Sequence, residues 1–375
     1  MLYLSIDQHS MQLTTNLRNE DGDVLSRRQV STQPKKTEKF LSELRTQAAS
    51  EGGYAAILEV CGFNDWLIEL LHKRGCKEVV LVQPDKTDKR KTDRRDADAL
   101  GEVLWINRLR LIGGKNVQGI RRVWLPDEED AQLRQLTQFR QKLGRQLTRE
   151  INRIHHILFK HNLQHERPTK GMKTKKVQEW LKSLPLTEID RLEMDYLAQQ
   201  WESLDKQLKK VMKEIENRQQ KNDIAKLIAT IPGFSYYSSL VIACRLSDGI
   251  ERFKSGKALA NYWGITPGCN NSGKKSNRLG AITKAGSSQV RSILGTLVTH
   301  VVRKDKWMKK VYQKIKQKRG AKIARVAVMR KLAVIIWRMV QSNVPYRTGG
   351  PEMVAAQREL LNDLKSGSVC RDAAV

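Results

Sequence analysis

What the stretch from residue 253 to residue 340 lacks is acid. Residues 253–340 carry one carboxylate, Asp305, against 21 lysines and arginines, so this stretch holds +20 of the chain's +29. A solvated surface usually mixes both signs, and a single-sign excess of this size reads as contact with a polyanion, with nucleic acid the leading candidate. Cysteine is scarce as well. Cys61, Cys76, Cys244, Cys269 and Cys370 are odd in number, widely spaced and without a CxxC pair. That excludes a disulfide framework and a zinc ribbon, and it gives the expectation of reduced thiols in a cytosolic protein. Long apolar runs are missing: the best candidate, Val326 to Val340, is broken by Arg330, Lys331 and Arg338, short of the ~18 residues a bilayer span needs. The opening Met1-Leu2-Tyr3-Leu4-Ser5-Ile6-Asp7 has no basic segment and meets an acid too early for a secretory signal. No membrane partner is expected.

What is present divides the chain. Its 375 residues exceed the ~250 that one hydrophobic core usually serves, so two or three domains are expected. Residues 1–110 hold 18 basic and 17 acidic side chains, a near balance opposite in character to the later stretch. Strand and helix signals alternate here. Leu2–Ile6 is a short apolar run. Gln12–Arg18 and Val24–Val30 flank a turn, Asn19-Glu20-Asp21-Gly22-Asp23, and read as a hairpin. Helical spacing over Thr37–Ala49, a buried-type strand at Tyr54–Val60, a helix at Asn64–Arg74, a strand at Glu78–Val82 and a helix at Asp93–Leu109 complete an α/β layered domain, assigned to residues 1–125.

From about Asp127 the period changes. Leu136, Leu143, Leu147, Ile151, Ile154 and Leu158 form the seam of one long helix, and Trp201, Leu204, Leu208, Val211 and Ile215 that of another. Pro168, Pro185 and a basic stretch separate them. The pair reads as a hairpin or coiled coil over residues 126–220, used either for assembly or as an ordinary helical subdomain. Residues 221–345 read as a mainly helical third domain and 346–375 as a tail.

Four acids of the first domain stand in telling places. Asp7 ends the first strand, Glu59 sits near the end of the buried strand, and Asp93 and Asp96 lie three apart on one helix face. A carboxylate on a buried strand is costly unless it is paired or holds a cation, and hard oxygen ligands suit a two-magnesium phosphoryl-transfer site. Plainer roles are open too: Asp7 as a turn residue, Asp93 as a first-turn acid favoured by the helix dipole, Asp96 as a partner for Arg95. Glu59, between Leu58 and Val60, is the hardest to explain plainly. Asp98 and Glu102 continue the helix, and Asp98 falls off the Asp93/Asp96 face. His161 and His165 stand four apart with no evident third ligand.

In the basic segment, Ile231-Pro232-Gly233-Phe234-Ser235 resembles a helix-hairpin-helix turn whose following N–H groups can meet a phosphate. Gly264 to Ser276 is a turn-rich loop with Lys274 and Lys275, followed by Arg278, Lys284 and Arg291. Small residues let a backbone approach a sugar-phosphate chain and the cations neutralise it. A serine there is a phosphate donor or a nucleophile, with Ser272, Ser276, Ser287 and Ser288 as candidates. Arg303–Lys331 reads as a nucleic-acid-facing pair of helices, with Trp307, Tyr312 and Trp337 either core or stacking platforms for bases.

The combination is familiar. Ser5-Ile6-Asp7, Leu58-Glu59-Val60-Cys61-Gly62, Val82-Gln83-Pro84 and Lys91-Thr92-Asp93-Arg94-Arg95-Asp96-Ala97, in that order, resemble the DEDD domain of the insertion-sequence transposases guided by a bridge RNA (the IS one-ten family, with Piv-type DNA invertases as relatives). Ile231-Pro232-Gly233, Phe253, Tyr262-Trp263-Gly264-Ile265-Thr266-Pro267, Ser272-Gly273, Lys284-Ala285-Gly286 and Arg291 resemble the C-terminal transposase domain of the same family. The resemblance implies a RuvC-like, RNase H-type first domain in which Asp7, Glu59, Asp93 and Asp96 bind Mg²⁺ or Mn²⁺. It implies Ser272 as the nucleophile that joins the protein covalently to DNA. It further implies a homo-oligomer, a dimer or tetramer joined through the coiled coil, with donor DNA, target DNA and a structured guide RNA as partners in the prokaryotic cytosol. Gln8-His9-Ser10 stands where the family commonly has Val-Ser-Lys, and Gly233-Phe234-Ser235 where it has Gly-Ile-Gly; neither change removes a ligand or the serine. Three rivals remain: a Piv-type invertase, a non-catalytic nucleic-acid-binding protein on an RNase H-like fold, and a junction nuclease that hydrolyses with water.

Overall fold

The computed structural model describes residues 1–83, 93–115, 117–172, 174–246, 249–269 and 279–348. Ser272, Lys274, Lys275, Arg278 and the tail from residue 349 lie outside them, as do Ser276 and the side chain of Asp93. The chain divides into two compact units, Met1–Leu125 and the part from Pro126 on.

Alternating apolar residues build the first unit. Its elements run β1 (Leu2–Gln8), β2 (Gln12–Arg18), β3 (Val24–Ser31), α1 (Pro34–Ala49), β4 (Tyr54–Glu59), α2 (Asp65–Lys73), β5 (Cys76–Gln83), α3 (Asp93–Ile106), α4 (Arg108–Ile112) and β6 (Arg121–Val123). The strands form one sheet of order β3-β2-β1-β4-β5-β6. β1, β4 and β5 are mutually parallel, while β2, β3 and β6 run antiparallel to their neighbours. Because strand side chains alternate between faces, β1 divides its residues cleanly. Leu2, Leu4 and Ile6 pack with Leu41, Leu44, Leu67 and Leu71 of α1 and α2. Tyr3 packs with Ile57, Val80 and Val82 against Leu100, Leu104 and Leu111 of α3 and α4. The sheet therefore has helices on both faces.

Two elements differ from the sequence reading. The helix expected to run to Leu109 stops at Ile106, where the Asn107 amide reaches back to the Val103 carbonyl (3.0 Å) and competes with the next helical turn. The strand β6 was not expected, because Arg-Arg-Val is short and charged; it pairs only through Leu81, Val82 and Gln83, at the sheet edge where charge is tolerated.

The second unit is helical: α5 (Glu128–Lys160), α6 (Lys175–Ser183), α7 (Glu188–Lys221), α8 (Asp223–Ala229), α9 (Tyr236–Ala243), α10 (Gly256–Tyr262), a small pair β7 (Pro267–Cys269) and β8 (Leu279–Ile282), α11 (Ser288–Lys304) and α12 (Lys306–Ser342). α5 starts where Asp127 caps the Asp130 amide (2.7 Å) and three acids fill the first turn, which complements the helix dipole. α5 and α7 lie antiparallel, since Arg140 touches Met212 while Lys160 reaches Asp190. The two ends of this hairpin join different cores. Leu133 and Ile215 belong with Leu240, Trp263, Leu294, Val328 and Leu332 in the main C-terminal core. Ile154, Ile157 and Leu158 pack instead with Val177, Leu181, Met194 and Leu197.

At that second core, Asp190 sits buried between two helices and accepts hydrogen bonds from Lys160 Nζ (2.8 Å), His161 Nε2 (2.6 Å) and Thr187 Oγ1 (2.8 Å). The Lys160 contact, then His161 and Thr187, hold its carboxyl well below the usual carboxylate range. A carboxyl depressed in the folded state contributes stability above its unfolded value, about 3.9 for Asp, and that contribution is lost as pH falls through the lower folded value. Asp190→Asn is therefore expected to melt earlier than wild type at pH 7, with the gap closing in strong acid. A gap that stays constant across a pH series of melting curves would refute the linkage.

Candidate functional site

The first candidate site lies where two parallel strands end. Ile6 of β1 pairs with Leu58 of β4, so one more step of the register sets Asp7 beside Glu59. Both follow the alternation of Tyr3 and Ile57, the residues that face α3 and α4. α3 runs antiparallel to β1: Ser5 Oγ donates to the Ala97 carbonyl (2.6 Å), whereas Trp105 Nε1, two turns on, donates to the carbonyl of Glu20, in the β2–β3 turn beside the start of β1 (2.9 Å). The first turn of α3, which begins at Asp93 and contains Asp96, is thus the end nearest Asp7 and Glu59. Asp7 and Asp96 are half-buried, and Glu59 is half-buried at the end of an otherwise buried strand. Asp7 also meets the His9 ring nitrogen at 3.1 Å.

The fold brings all four predicted acids to one face and one end of the sheet at the level of backbone placement. Among the described residues, no three Asp, Glu, His or Cys side chains come together closely enough to hold a metal ion. Asp7, Glu59 and Asp96 do not close such a site by themselves. Their donor set, carboxylate oxygens at strand and helix ends, is the kind a hard divalent cation takes.

Asp98 has a different occupation. Its carboxylate accepts from the Asn16 amide and from Arg27 Nε (2.8 and 3.2 Å), residues of β2 and β3. Sequence reasoning placed Asp98 off the Asp93/Asp96 face but did not find Asn16, which is fully buried. The signal was available: Thr14, Asn16 and Arg18 alternate as polar residues on one face of a strand whose other face carries Leu13, Thr15 and Leu17.

The second candidate region is formed by the described residues that flank Ser272 in the chain. Gly264 ends α10 at φ 67°, and a Cβ there would lie 2.5 Å from the Ala285 amide nitrogen. A Cβ on Gly286 would lie 2.0 Å from the Tyr262 carbonyl oxygen. The Tyr262–Gly264 and Lys284–Gly286 segments therefore touch backbone to backbone, which only glycine allows. Gly286→Ala is expected to destabilise the second unit by on the order of 3 kcal/mol, read from the denaturant midpoint; a shift below about 0.5 kcal/mol would mean the contact is not needed for stability.

This contact sets β7 and β8 in place, the described elements on either side of Ser272 in the chain. Lys284, at φ 54°, is exposed beside that contact. Arg291, expected to face nucleic acid, turns one guanidinium nitrogen to the Trp263 (3.3 Å) and Gly286 carbonyls and braces the same junction. Ser287 caps α11 by accepting from the Val290 amide (3.4 Å), a structural use of a residue considered as a nucleophile; Ser288 is the exposed first residue of that helix.

Other expected contacts resolve toward packing. The N-terminus of α9, read as a phosphate site, is closed by its own capping box between Ser235 and Ser238. Trp307, Tyr312 and Trp337 pack against the main core; Lys331 lies 4.4 Å above the Trp307 ring, and Trp337 Nε1 donates to the Phe253 carbonyl (2.9 Å). All three are partly buried at the margin of that core. Burial pushes the Cys76 thiol up to about 12 and the Cys244 thiol to about 11, so neither supplies a thiolate nucleophile near pH 7.

Residues 4–162 match a transposase family defined by the DEDD domain of IS110, and residues 225–313 match the Transposase IS116/IS110/IS902 family. The transposase for insertion sequence element IS1111A of Coxiella burnetii is 26% identical over 310 residues, 78% of this chain and 79% of the relative. A putative transposase of Sinorhizobium fredii is 26% identical over 303 residues, 77% and 73% of the two chains. The pilin gene-inverting protein of Moraxella bovis is 32% identical over 130 residues, 33% and 39% of the two chains.

Proposed function

Because the chain is a transposase of the IS110/IS116 family, with a DEDD domain ahead of its second matched segment, we propose that it excises and inserts a mobile element through an acid cluster and a serine nucleophile, directed by a structured guide RNA. The observation that carries the acid half is the placement of Asp7 and Glu59 on neighbouring strand ends, on the sheet face covered by α3, beside the turn that holds Asp93 and Asp96. A RuvC-like fold accords with that layout. Asp7, Glu59, Asp93 and Asp96 would hold Mg²⁺ or Mn²⁺, which when bound polarises the scissile phosphate and eases deprotonation of an attacking hydroxyl.

Ser272, which lies between β7 and β8 in the chain, attacks phosphorus through its Oγ, whose proton passes to solvent while the departing deoxyribose oxygen takes one up. The Oγ–P bond forms as one P–O bond to the departing deoxyribose breaks, so the diester energy is kept for rejoining to another strand. Lys274, Lys275, Arg278 and Lys284 neutralise the backbone on either side, in a stretch with one carboxylate. Assembly through the α5/α7 hairpin is supported by Ile189, Leu192 and Tyr196, which recur at helical spacing on α7 and are 70%, 53% and 60% exposed.

The gene-inverting relative favours a second reading, inversion of one defined segment by the same chemistry. One assay separates these ideas. Purified protein, the noncoding RNA adjoining the gene, Mg²⁺ and labelled DNA carrying the element junction are incubated, and recombinant strands are resolved on a denaturing gel. We expect recombinants only with RNA present and between unlike sites. Products formed without RNA would remove the guide, and products restricted to inverted pairs of one site would favour the invertase.

A further inference from the structure

The chain holds a polar tie between α3 and the sheet that no cleavage step uses. Asp98 accepts from Asn16 on β2 and from Arg27 on β3, and Ser5 on β1 donates to the carbonyl of the adjoining Ala97 (2.6 Å). Gly101 lets the helix approach: a Cβ there would lie 3.0 Å from Ser5 Oγ and 3.3 Å from both Asn16 Oδ1 and Arg18 Nε. Asn16 and Ser5 are fully buried, so their two contacts lie in a medium where a lost partner is costly, whereas the Arg27 contact is partly exposed.

Its position in the sheet gives it a consequence. The order β3-β2-β1-β4 puts Asn16 and Arg27 on one side of β1 and Glu59 on the other. Residues advance about 100° around a helix, so Asp96 lies about 200° from Asp98. Drawing Asp98 toward β2 and β3 therefore turns Asp96 toward β4. The Ser5 bond meanwhile fixes the height of α3 two residues before Asp7 on the same strand face. Rotation and height together set where the first turn of α3 stands against Asp7 and Glu59.

We propose that Asp98, with Asn16 and Arg27, is a positioning residue for the acid site, setting the rotation of α3 that carries Asp93 and Asp96 to the strand acids. This rests on the reading of those acids as a cation site. Loss of such an orienting partner weakens cation binding by roughly 10–100-fold in metalloproteins.

The test uses Mn²⁺ alone as probe, followed by electron paramagnetic resonance titration of the full chain, with melting curves taken without metal. Asp98→Ala is expected to bind Mn²⁺ at least about tenfold more weakly while still melting cooperatively. Asp98→Asn, which keeps an acceptor for Asn16 and Arg27, recovers most of the affinity. Arg27→Ala, at an exposed position that tolerates truncation, weakens binding less than Asp98→Ala and serves if the latter fails to fold. Wild-type affinity in Asp98→Ala or, failing that variant, in Arg27→Ala overturns the proposal. Asp98→Asn binding as poorly as Asp98→Ala also overturns it, because the charge itself would then be the ligand. Asp96→Asn and Glu59→Gln separate the two readings: if they bind Mn²⁺ as wild type does, or wild type binds none, the acid site fails and takes the positioning role of Asp98 with it.

Discussion

Asp7→Asn and Glu59→Gln, made singly, are each expected to lower strand cleavage by on the order of a thousandfold, equivalent to about 4 kcal/mol of activation barrier. Both changes keep side-chain size and remove a formal charge. Asp7 and Glu59 stand on adjacent strand ends of one sheet face, where like charges raise each other's energy in the absence of a cation. The substitutions relieve that repulsion but also weaken contacts such as Asp7–His9, so melting without metal should change little, while the rise in melting temperature that Mg²⁺ or Mn²⁺ gives wild type should shrink. Cleavage is read from labelled junction DNA at saturating metal. Near-wild-type cleavage by either variant would mean that its carboxylate does not serve the reaction, and an equal loss of melting temperature would assign it to structure instead.

Ser272→Ala carries the second large effect. If Ser272 Oγ forms the bond to phosphorus, its removal eliminates the protein–DNA adduct and lowers strand exchange by on the order of 10⁴-fold or more, as expected for loss of a covalent nucleophile. DNA binding should survive, because the cations around the loop are untouched. Ser276→Ala should form the adduct as wild type does, and Ser287→Ala should lose stability through its cap on α11 without losing the adduct. The measurement is a denaturing gel of labelled DNA with and without protease. An adduct in Ser272→Ala equal to that of wild type, or none in wild type, would sink the serine mechanism. In the latter case, continued cleavage would leave the water-using nuclease.

The two regions were legible in the sequence to different depths. Asp7 and Glu59 were visible because a carboxylate at the end of an apolar strand is hard to place without a task. Asp93 and Asp96 were visible because three-residue spacing puts them on one helix side. Arg291 shows the limit of spacing: a cation after a turn-rich basic stretch looks like a phosphate ligand, and only the fold shows that the Trp263 and Gly286 carbonyls also lie within its reach. Ser235 was read as part of a phosphate-facing turn, yet Ser238 three residues on is its capping partner. Such local bonds compete with ligand contacts and are decided by backbone geometry.

By itself the sequence determined the period of each element, the acid-poor basic stretch, and the order of the acids and the serine along the chain. These depend on residue type and spacing, which a strand or helix converts directly into a face. Tertiary structure alone decided that β4 lies next to β1, that α3 runs back over them with its first turn at the acid end, and that Asp98 is held by Asn16 and Arg27. Those facts join residues some 40 to 90 positions apart, and the pairing of distant strands is set by how whole apolar faces bury against one another, which no local pattern encodes.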